Sequence, residues 1–339
     1  MWTVAVVLAQ YITFALYPRK AKGLKVSRLF VHPVKSCGAV EVKSASIGQF
    51  GFELDRLWMV IDADDHTKFI TQREFPSMVL VTQQLVMNGS TYAEGGSLIL
   101  SAPGMEKPLT IKFRSSFKGL AKVNAVVWDH AVDGFDEGDE AANWWSKFLG
   151  KRLRLIVKDP NNVRALREKN TPTSDHFEEG VVPQTAFADG YPFLVANEES
   201  LKVVNSRLPN GTKPRKMENF RANIIVGKDG KTAEAYLPAF AEDGWKTIQV
   251  GNERLFIASL CTRCQVPGND LELGNGYDAR VSRTLMKFRR VDKGKPYEPC
   301  FGVNAISKGV GGVIRVGDTI EVVEDGVVHN GKVGIWRNS

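Results

Sequence analysis

Between residues 24 and 135 every strongly patterned segment reads as a strand, and the first helix pattern waits until Asp136. "LKVSRLFVHPV" alternates apolar and polar positions through Val26, Leu29 and Val31, and "RLWMVID" is a short continuous apolar run. "SMVLVTQQLV", "SLILSA", "LTIKFR" and "NAVVWDH" follow. Asp136 is the expected cap of the helix "EGDEAANWWSKFL", and Gly150 its stop. "RLRLIVK" returns to strand. A doubly wound sheet needs regular strand–helix alternation, so this order excludes it and points to an α+β, β-rich fold of barrel type.

Residues 159–190 are polar and loop-rich, with Pro160, Pro172 and Pro183, and mark the expected domain boundary. Beyond it "YPFLVA" reads as a strand, Asn197 as the cap of the helix "EESLKVVNSRL", and "ANIIVG" and "ERLFIAS" as strands. "GGVIRVGDTIEVVED" reads as a hairpin-like pair turning at Gly317 and Asp318. The 339 residues are 43% hydrophobic, enough for a sizeable core in one large or two ordinary domains.

Lys and Arg number 45 against 38 Asp and Glu, a net charge of +7 that favours anionic partners only weakly. No nucleic-acid-binding signature accompanies it, so no nucleic-acid partner is expected. Met1 to Tyr17 carries no charge and is followed by Arg19, Lys20, Lys22 and Lys25. At about 17 residues such a run is at the lower limit for a membrane span. Basic residues after it are placed as in an anchor that leaves the rest of the chain in the cytosol. A helix packed on the core is the alternative.

Four cysteines, Cys37, Cys261, Cys264 and Cys300, are too few for a disulfide scaffold in a chain of this length and suit a reducing compartment. Cys261 and Cys264 lie three apart in "SLCTRCQVPGND". A thioredoxin-type pair opens a helix, whereas Pro267, Gly268 and Asn269 predict a loop here. A structural zinc site needs four ligands, and no second pair or nearby histidine supplies them. Two inert buried thiols remain open. So does a single thiolate bound to a metal that a cofactor already holds, with Arg263 balancing an anionic group.

"VHPVKSCGAVEV", "GFELDRLWMVID", "NFRANIIV" and "SLCTRCQVPGNDLELG" occur in this order, and together they resemble the MOSC superfamily, specifically the mitochondrial amidoxime-reducing components, over residues 24–324. The resemblance implies a membrane anchor with its basic flank at 1–23, a MOSC N-terminal β-barrel-like domain at 24–158, a MOSC β-barrel at 159–325 and a tail at 326–339. It implies molybdenum held by a molybdopterin, a pyranopterin dithiolene bearing a phosphate, and by one cysteine thiolate. Position in the motif makes that ligand Cys264, after Thr262 and Arg263, with Cys261 a bystander. A soft thiolate suits a sulfur-rich metal site.

Residue by residue, the same resemblance implies cofactor contacts at Lys35, Ser36, Arg56, Arg221, Thr262 and Arg263. Ordinary loop or paired residues are the plain alternative for Lys35, Arg56 and Arg221. Gly190 and Tyr191 stand where the family often carries small hydroxylic residues, so contacts there fall to backbone N–H groups or are altered. Several cations from separate segments are what a buried anionic cofactor requires. The implied activity is reduction of N-hydroxylated small molecules. The implied electron donors are a b-type cytochrome and its NADH-dependent flavin reductase, and the implied place is the mitochondrial outer membrane, with the endoplasmic reticulum equally compatible with the anchor. Asp270 is near Cys264 in sequence and reads as a plain loop carboxylate. A sulfur-handling domain of the cofactor-sulfurase kind and a cofactor carrier are the rival expectations.

Overall fold

A computed structural model describes residues 21–167 and 171–331. The expected anchor at 1–17 lies outside the described residues, and among those described no helix is long and apolar enough to cross a membrane. Among the described residues eighteen strands form in chain order. The first eleven are β1 (Leu24–Val31), β2 (Val40–Val42), β3 (Ser44–Gly48), β4 (Gly51–Phe52), β5 (Trp58–Asp62), β6 (Thr82–Met87), β7 (Gly96–Ser101), β8 (Leu109–Lys112), β9 (Lys122–Val127), β10 (His130–Asp136) and β11 (Leu153–Lys158). The rest are β12 (Phe193–Asn197), β13 (Ile224–Lys228), β14 (Trp245–Val250), β15 (Glu253–Thr262), β16 (Cys300–Ser307), β17 (Val313–Arg315) and β18 (Thr319–Asp325). The helices are α1 (Asp139–Leu149), α2 (Glu198–Ser206), α3 (Met217–Phe220) and α4 (Ala279–Phe288).

The largest sheet runs β13-β12-β16-β15-β14-β18-β1-β2, and pairing of β13 with β1 closes seven of these strands into a barrel. The chain is thus β-rich and barrel-based, as its strand pattern implies. β1 precedes residue 159, yet it sits between β13 and β18 and completes the barrel built from the later strands. Its alternating Leu24, Val26 and Leu29 enter the main core. A four-stranded sheet, β5-β11-β10-β9, and the three-stranded β6-β7-β8 carry the earlier half. There Trp58 and Trp145 are fully buried in the same core. Truncating either to Ala would cost on the order of 3–5 kcal/mol.

Local structure departs from the sequence reading at four places, the first in "SMVLVTQQLV", where Pro76–Leu80 forms a 3-10 turn and only Thr82–Met87 is strand. Asp136 does not cap α1: Gly138 does, and the Asp136 carboxylate instead accepts from Gly138 N at 2.7 Å, fixing the turn before the helix. Gly150 ends α1 at φ 68°, as a left-handed stop requires. β17 and β18 are not a hairpin. The chain turns between them, but β17 pairs with β3 whereas β18 pairs with β14 and β1. A helix unread in the sequence, α4, has Asp278 accepting from Arg280 N at 2.9 Å as its cap and Val281, Thr284 and Leu285 as its buried face. Asn197 caps α2 as expected, accepting from Glu199 N at 2.8 Å.

Candidate functional site

A cleft of about 900 Å³ opens where the exit of β1, the start of β12, the approach to β13 and the end of β15 meet. Along β15 and β16, Leu260, Val303 and Ala305 enter the main core while Cys261 and Asn304 face the cleft. The β15–β16 register is irregular between Leu260 and Thr262. A bulge re-aims side chains next to it, and here it lies directly before Arg263 and Cys264.

Backbone pairing brings Lys35 beside Arg56. Arg56 N donates to His32 O at 2.8 Å, Trp58 N to Pro33 O at 3.1 Å and Lys35 N to Trp58 O at 2.9 Å, zipping the loop after β1 to the entry of β5. Lys35 is 5% exposed, and its Nζ donates to Phe187 O at 2.8 Å and to Asp189 Oδ1 at 2.5 Å. The Arg56 guanidinium donates to Asp55, to Asn223 Oδ1 at 3.1 Å and to Arg221 O at 2.9 Å. Asn223 is the joint of this corner: its Nδ2 donates to Phe30 O and its Oδ1 also accepts from Leu194 N, tying β1 to β12.

Arg221 follows α3 in a left-handed conformation, donates from Nη1 to Cys37 O at 2.7 Å, and leaves Nη2 buried without a partner among the described residues. Arg263 donates to Phe220 O at 2.8 Å and to Cys261 Sγ at 3.1 Å, and leaves Nε buried without a partner. Thr262, Gly190 and Tyr191 also line the cleft, so all nine residues singled out in the sequence come together there. A side chain added at Gly190 would meet nothing within 4 Å. The Tyr191 hydroxyl is engaged with Ser259, and burial raises its pKa.

The cysteine pair is unequal. Cys264 is exposed, with Arg73 Nη2 3.4 Å from its sulfur. Cys261 is half-buried and packs against the cluster of Phe30, Phe220 and Phe301. Cys37 and Cys300 are buried, and burial pushes the Cys300 thiol up to about 12, out of nucleophilic use. No group of three or more His, Cys, Asp or Glu side chains that could hold a metal occurs among the described residues. A zinc site at Cys261 and Cys264 therefore lacks its remaining ligands. Asp270 is spent on Glu272 N, Leu273 N and Lys213, as a plain loop carboxylate.

Eight basic side chains line the cleft with Asp189 and Glu298, while Asp55 and Asp129 pair with Arg56 and Arg167 from outside the lining. Burial lowers Lys35 to about 8, opposed by Asp189 and reinforced by Arg164 and Arg221. Burial and the neighbouring Arg56 lower Arg221 to about 10, and burial lowers Arg164 to about 10. Desolvation works to raise Asp189, but the Lys35 ammonium, with Arg73 and Trp128, holds it well below the usual carboxylate range. At neutral pH the pair is an ammonium and a carboxylate.

Arg73, Trp128, Arg164, Asp189 and Asn223 went unread in the sequence. Arg73 stacks over Trp128 at 4.8 Å, and Trp128 Nε1 donates to Asp189 at 3.3 Å. Trp128 is backbone-strained and Arg164 is a buried charge, features that pattern reading does not register. Among the described residues six non-glycine residues have left-handed φ, and four of them, Ser36 (73°), Arg56 (50°), Trp128 (59°) and Arg221 (58°), line the cleft. Each costs roughly 1–3 kcal/mol, a cost that concentrates at ligand sites. Unpaired guanidinium nitrogens, excess cations and one accessible thiolate position fit an anionic cofactor whose metal takes a single protein sulfur.

Comparison with known proteins matches residues 23–152 to the MOSC N-terminal beta barrel domain and residues 183–321 to the MOSC domain. The human mitochondrial amidoxime reducing component 2 is 30% identical over 318 residues, covering 90% of this chain and 86% of that protein. The Bos taurus component 2 is 31% identical over 305 residues, 87% and 82% of the two chains. The Danio rerio component 1 is 29% identical over 330 residues, 94% and 91%. With both domains matched in order and the alignment running through nearly the whole length, this chain belongs to the mitochondrial amidoxime-reducing component family of MOSC proteins.

Proposed function

We propose that this protein is a molybdenum-cofactor-dependent oxidoreductase that reduces N-hydroxylated compounds to the nitrogen base. The observation that carries the reading is the cleft's charge imbalance around an exposed Cys264, with Arg221 Nη2 and Arg263 Nε buried beside it and unpaired. Lys35, Ser36, Arg56, Arg221, Thr262 and Arg263 hold the phosphate and pterin by charge and hydrogen bonding, and Cys264 supplies the thiolate ligand. When bound, the cofactor supplies the two-electron redox chemistry. The buried cations would fix its orientation. The overall change takes an N–OH group, two electrons and two protons to N–H and water.

Electrons enter singly from a b-type cytochrome kept reduced by an NADH-dependent flavin reductase. In this reading the uncharged stretch at 1–17 holds the chain on a membrane, the mitochondrial outer membrane by likeness to the family, with the catalytic part in the cytosol. Metal and pterin analysis of purified protein beside Cys264→Ala and Cys261→Ala is the test. Molybdenum is expected to be lost in Cys264→Ala and kept in Cys261→Ala; equal loss in both overturns the ligand assignment. Failure of metal-replete protein to reduce benzamidoxime with the cytochrome pair overturns the reductase reading and leaves a carrier or a sulfur-handling protein.

A further inference from the structure

The segment joining α4 to β16 borders the cleft and carries charge that cofactor binding does not use. Arg283 and Lys287, at i and i+4, share one side of α4, and Arg290 follows two residues after the helix ends at Phe288. All three are exposed, as is Lys293. Among the described residues none of these four has a carboxylate within ion-pairing distance. The acids of the segment do not offset them. Asp292 is 1% exposed and occupied by Gly294 N and Asn330, and Glu298 pairs with Lys295 at 3.2 Å. The same segment exposes Val291 and Tyr297, the latter 80% exposed.

This segment is fastened to the site. Lys295 and Glu298 line the cleft, and Pro299 O accepts from Arg263 N at 2.7 Å, one residue from Cys264. We propose that the Arg283–Lys287–Arg290–Lys293 face around Tyr297 is where the electron-donating protein docks, through a carboxylate-rich surface of its own. The inference rests on the oxidoreductase reading. Each docking passes one electron from a reduced haem iron, which becomes oxidised, into the cleft. Two dockings and two protons complete one N–OH reduction. Such a partner must arrive and leave for every electron, which favours long-range steering by charge over a large apolar interface. An exposed aromatic inside a charged rim is the usual anchor of a small interface. An anionic membrane would also attract four cations, and vesicle binding distinguishes it from a protein partner.

The test uses the full chain loaded with cofactor, wild type and Lys287→Glu/Arg290→Glu/Lys293→Glu, with Tyr297→Ala as a second variant. Benzamidoxime reduction is driven either by reduced b-type cytochrome or by a small chemical reductant. The charge-reversed protein is expected to show a cytochrome KM raised at least about tenfold and a flattened salt dependence, with unchanged turnover on the chemical reductant. Tyr297→Ala is expected to raise the same KM without altering the salt dependence. Unchanged cytochrome KM in both variants, with the chemical reductant still effective, overturns the docking face alone. Loss of binding to anionic vesicles with no change in cytochrome KM assigns the face to lipid and also overturns it. Absence of reduction by the wild type with either donor overturns the site reading, and this inference with it.

Discussion

Two regions of this molecule bury charge, and they do so by opposite rules. Around the cleft, eight cations meet four carboxylates, Asp189, Glu298, Asp55 and Asp129, and among the described residues Arg221 and Arg263 keep nitrogens buried without acceptors. Around the turn at Ala241–Gly244 the charges are matched. Arg289 Nη2 donates to Asp243 Oδ2 at 2.7 Å and its Nε to Cys300 O at 2.9 Å, with the guanidinium 3.9 Å over the Phe240 ring. Ser200 Oγ lies 2.8 and 3.1 Å from the two Glu242 oxygens and itself accepts from Phe240 N. Among the described residues Asp243 Oδ1 is the atom left over here. Matched buried charge holds elements in place, whereas unmatched buried charge marks where something else must bind.

Removing one cation from each region separates the two rules most strongly. Arg289→Met strands the Asp243 carboxylate, and breaking such a buried pair costs about 3–5 kcal/mol. Urea unfolding is expected to show that loss, while molybdenum content per folded molecule stays unchanged. Arg221→Met removes a cation whose charge the protein itself does not neutralise. Its unfolding free energy is expected to move by no more than about 1 kcal/mol, while cofactor retention on dialysis falls by about a hundredfold, the loss of one strong charge-assisted contact. If Arg221→Met unfolds as readily as Arg289→Met, the contrast between the regions collapses.

Lys35 sharpens the contrast through pH. Its folded value near 8 lies below the ordinary 10.5, because burial outweighs Asp189. Between those two values the unfolded chain keeps a proton that the folded chain has lost, so folding stability rises with pH across that window. Anion binding moves the other way, since it needs the ammonium. Cofactor retention is therefore expected to fall above pH 8 by up to about tenfold per pH unit. Retention in Lys35→Met should be weak throughout and flat over the same range. A slope that persists in Lys35→Met would assign the titration to another group.

The barrel was legible because strand periodicity is local: β1, β12, β13 and β15 each announce themselves in a handful of residues. What closes the barrel was not, since β1 pairs with β13 across some two hundred residues of chain and no local pattern encodes a partner. α4 was hidden for a different reason. Gly274 and Gly276 sit just ahead of it and read as loop, although Asp278 with Val281 and Leu285 is a cap followed by an apolar stripe. The cofactor contacts were legible only through the family motifs, and the cleft gathers them. Arg73 and Trp128 lie outside every motif, and their role depends on Asp189, which sits in the long polar stretch that sequence reading treats as connection.

Glu242 gives the smallest expected effect and the finest test of what a matched region costs. It is fully buried, and desolvation first, then the Asp243 charge, raises its carboxyl to about 7, with Ser200 and Arg289 opposing. A raised acid is protonated more readily in the folded chain than in the unfolded one. The stability it contributes is complete below about 4.5 and is lost as pH climbs to about 7. Glu242→Gln keeps an acceptor for Ser200 and cannot ionise. Urea midpoints for the wild type are expected to decline between pH 5 and 7, by on the order of 1 kcal/mol after coupling to Asp243. The variant should hold steady there and leave cofactor content untouched. Parallel midpoints would mean that Glu242 stays ionised in the fold, and that Arg289 neutralises both acids rather than Asp243 alone.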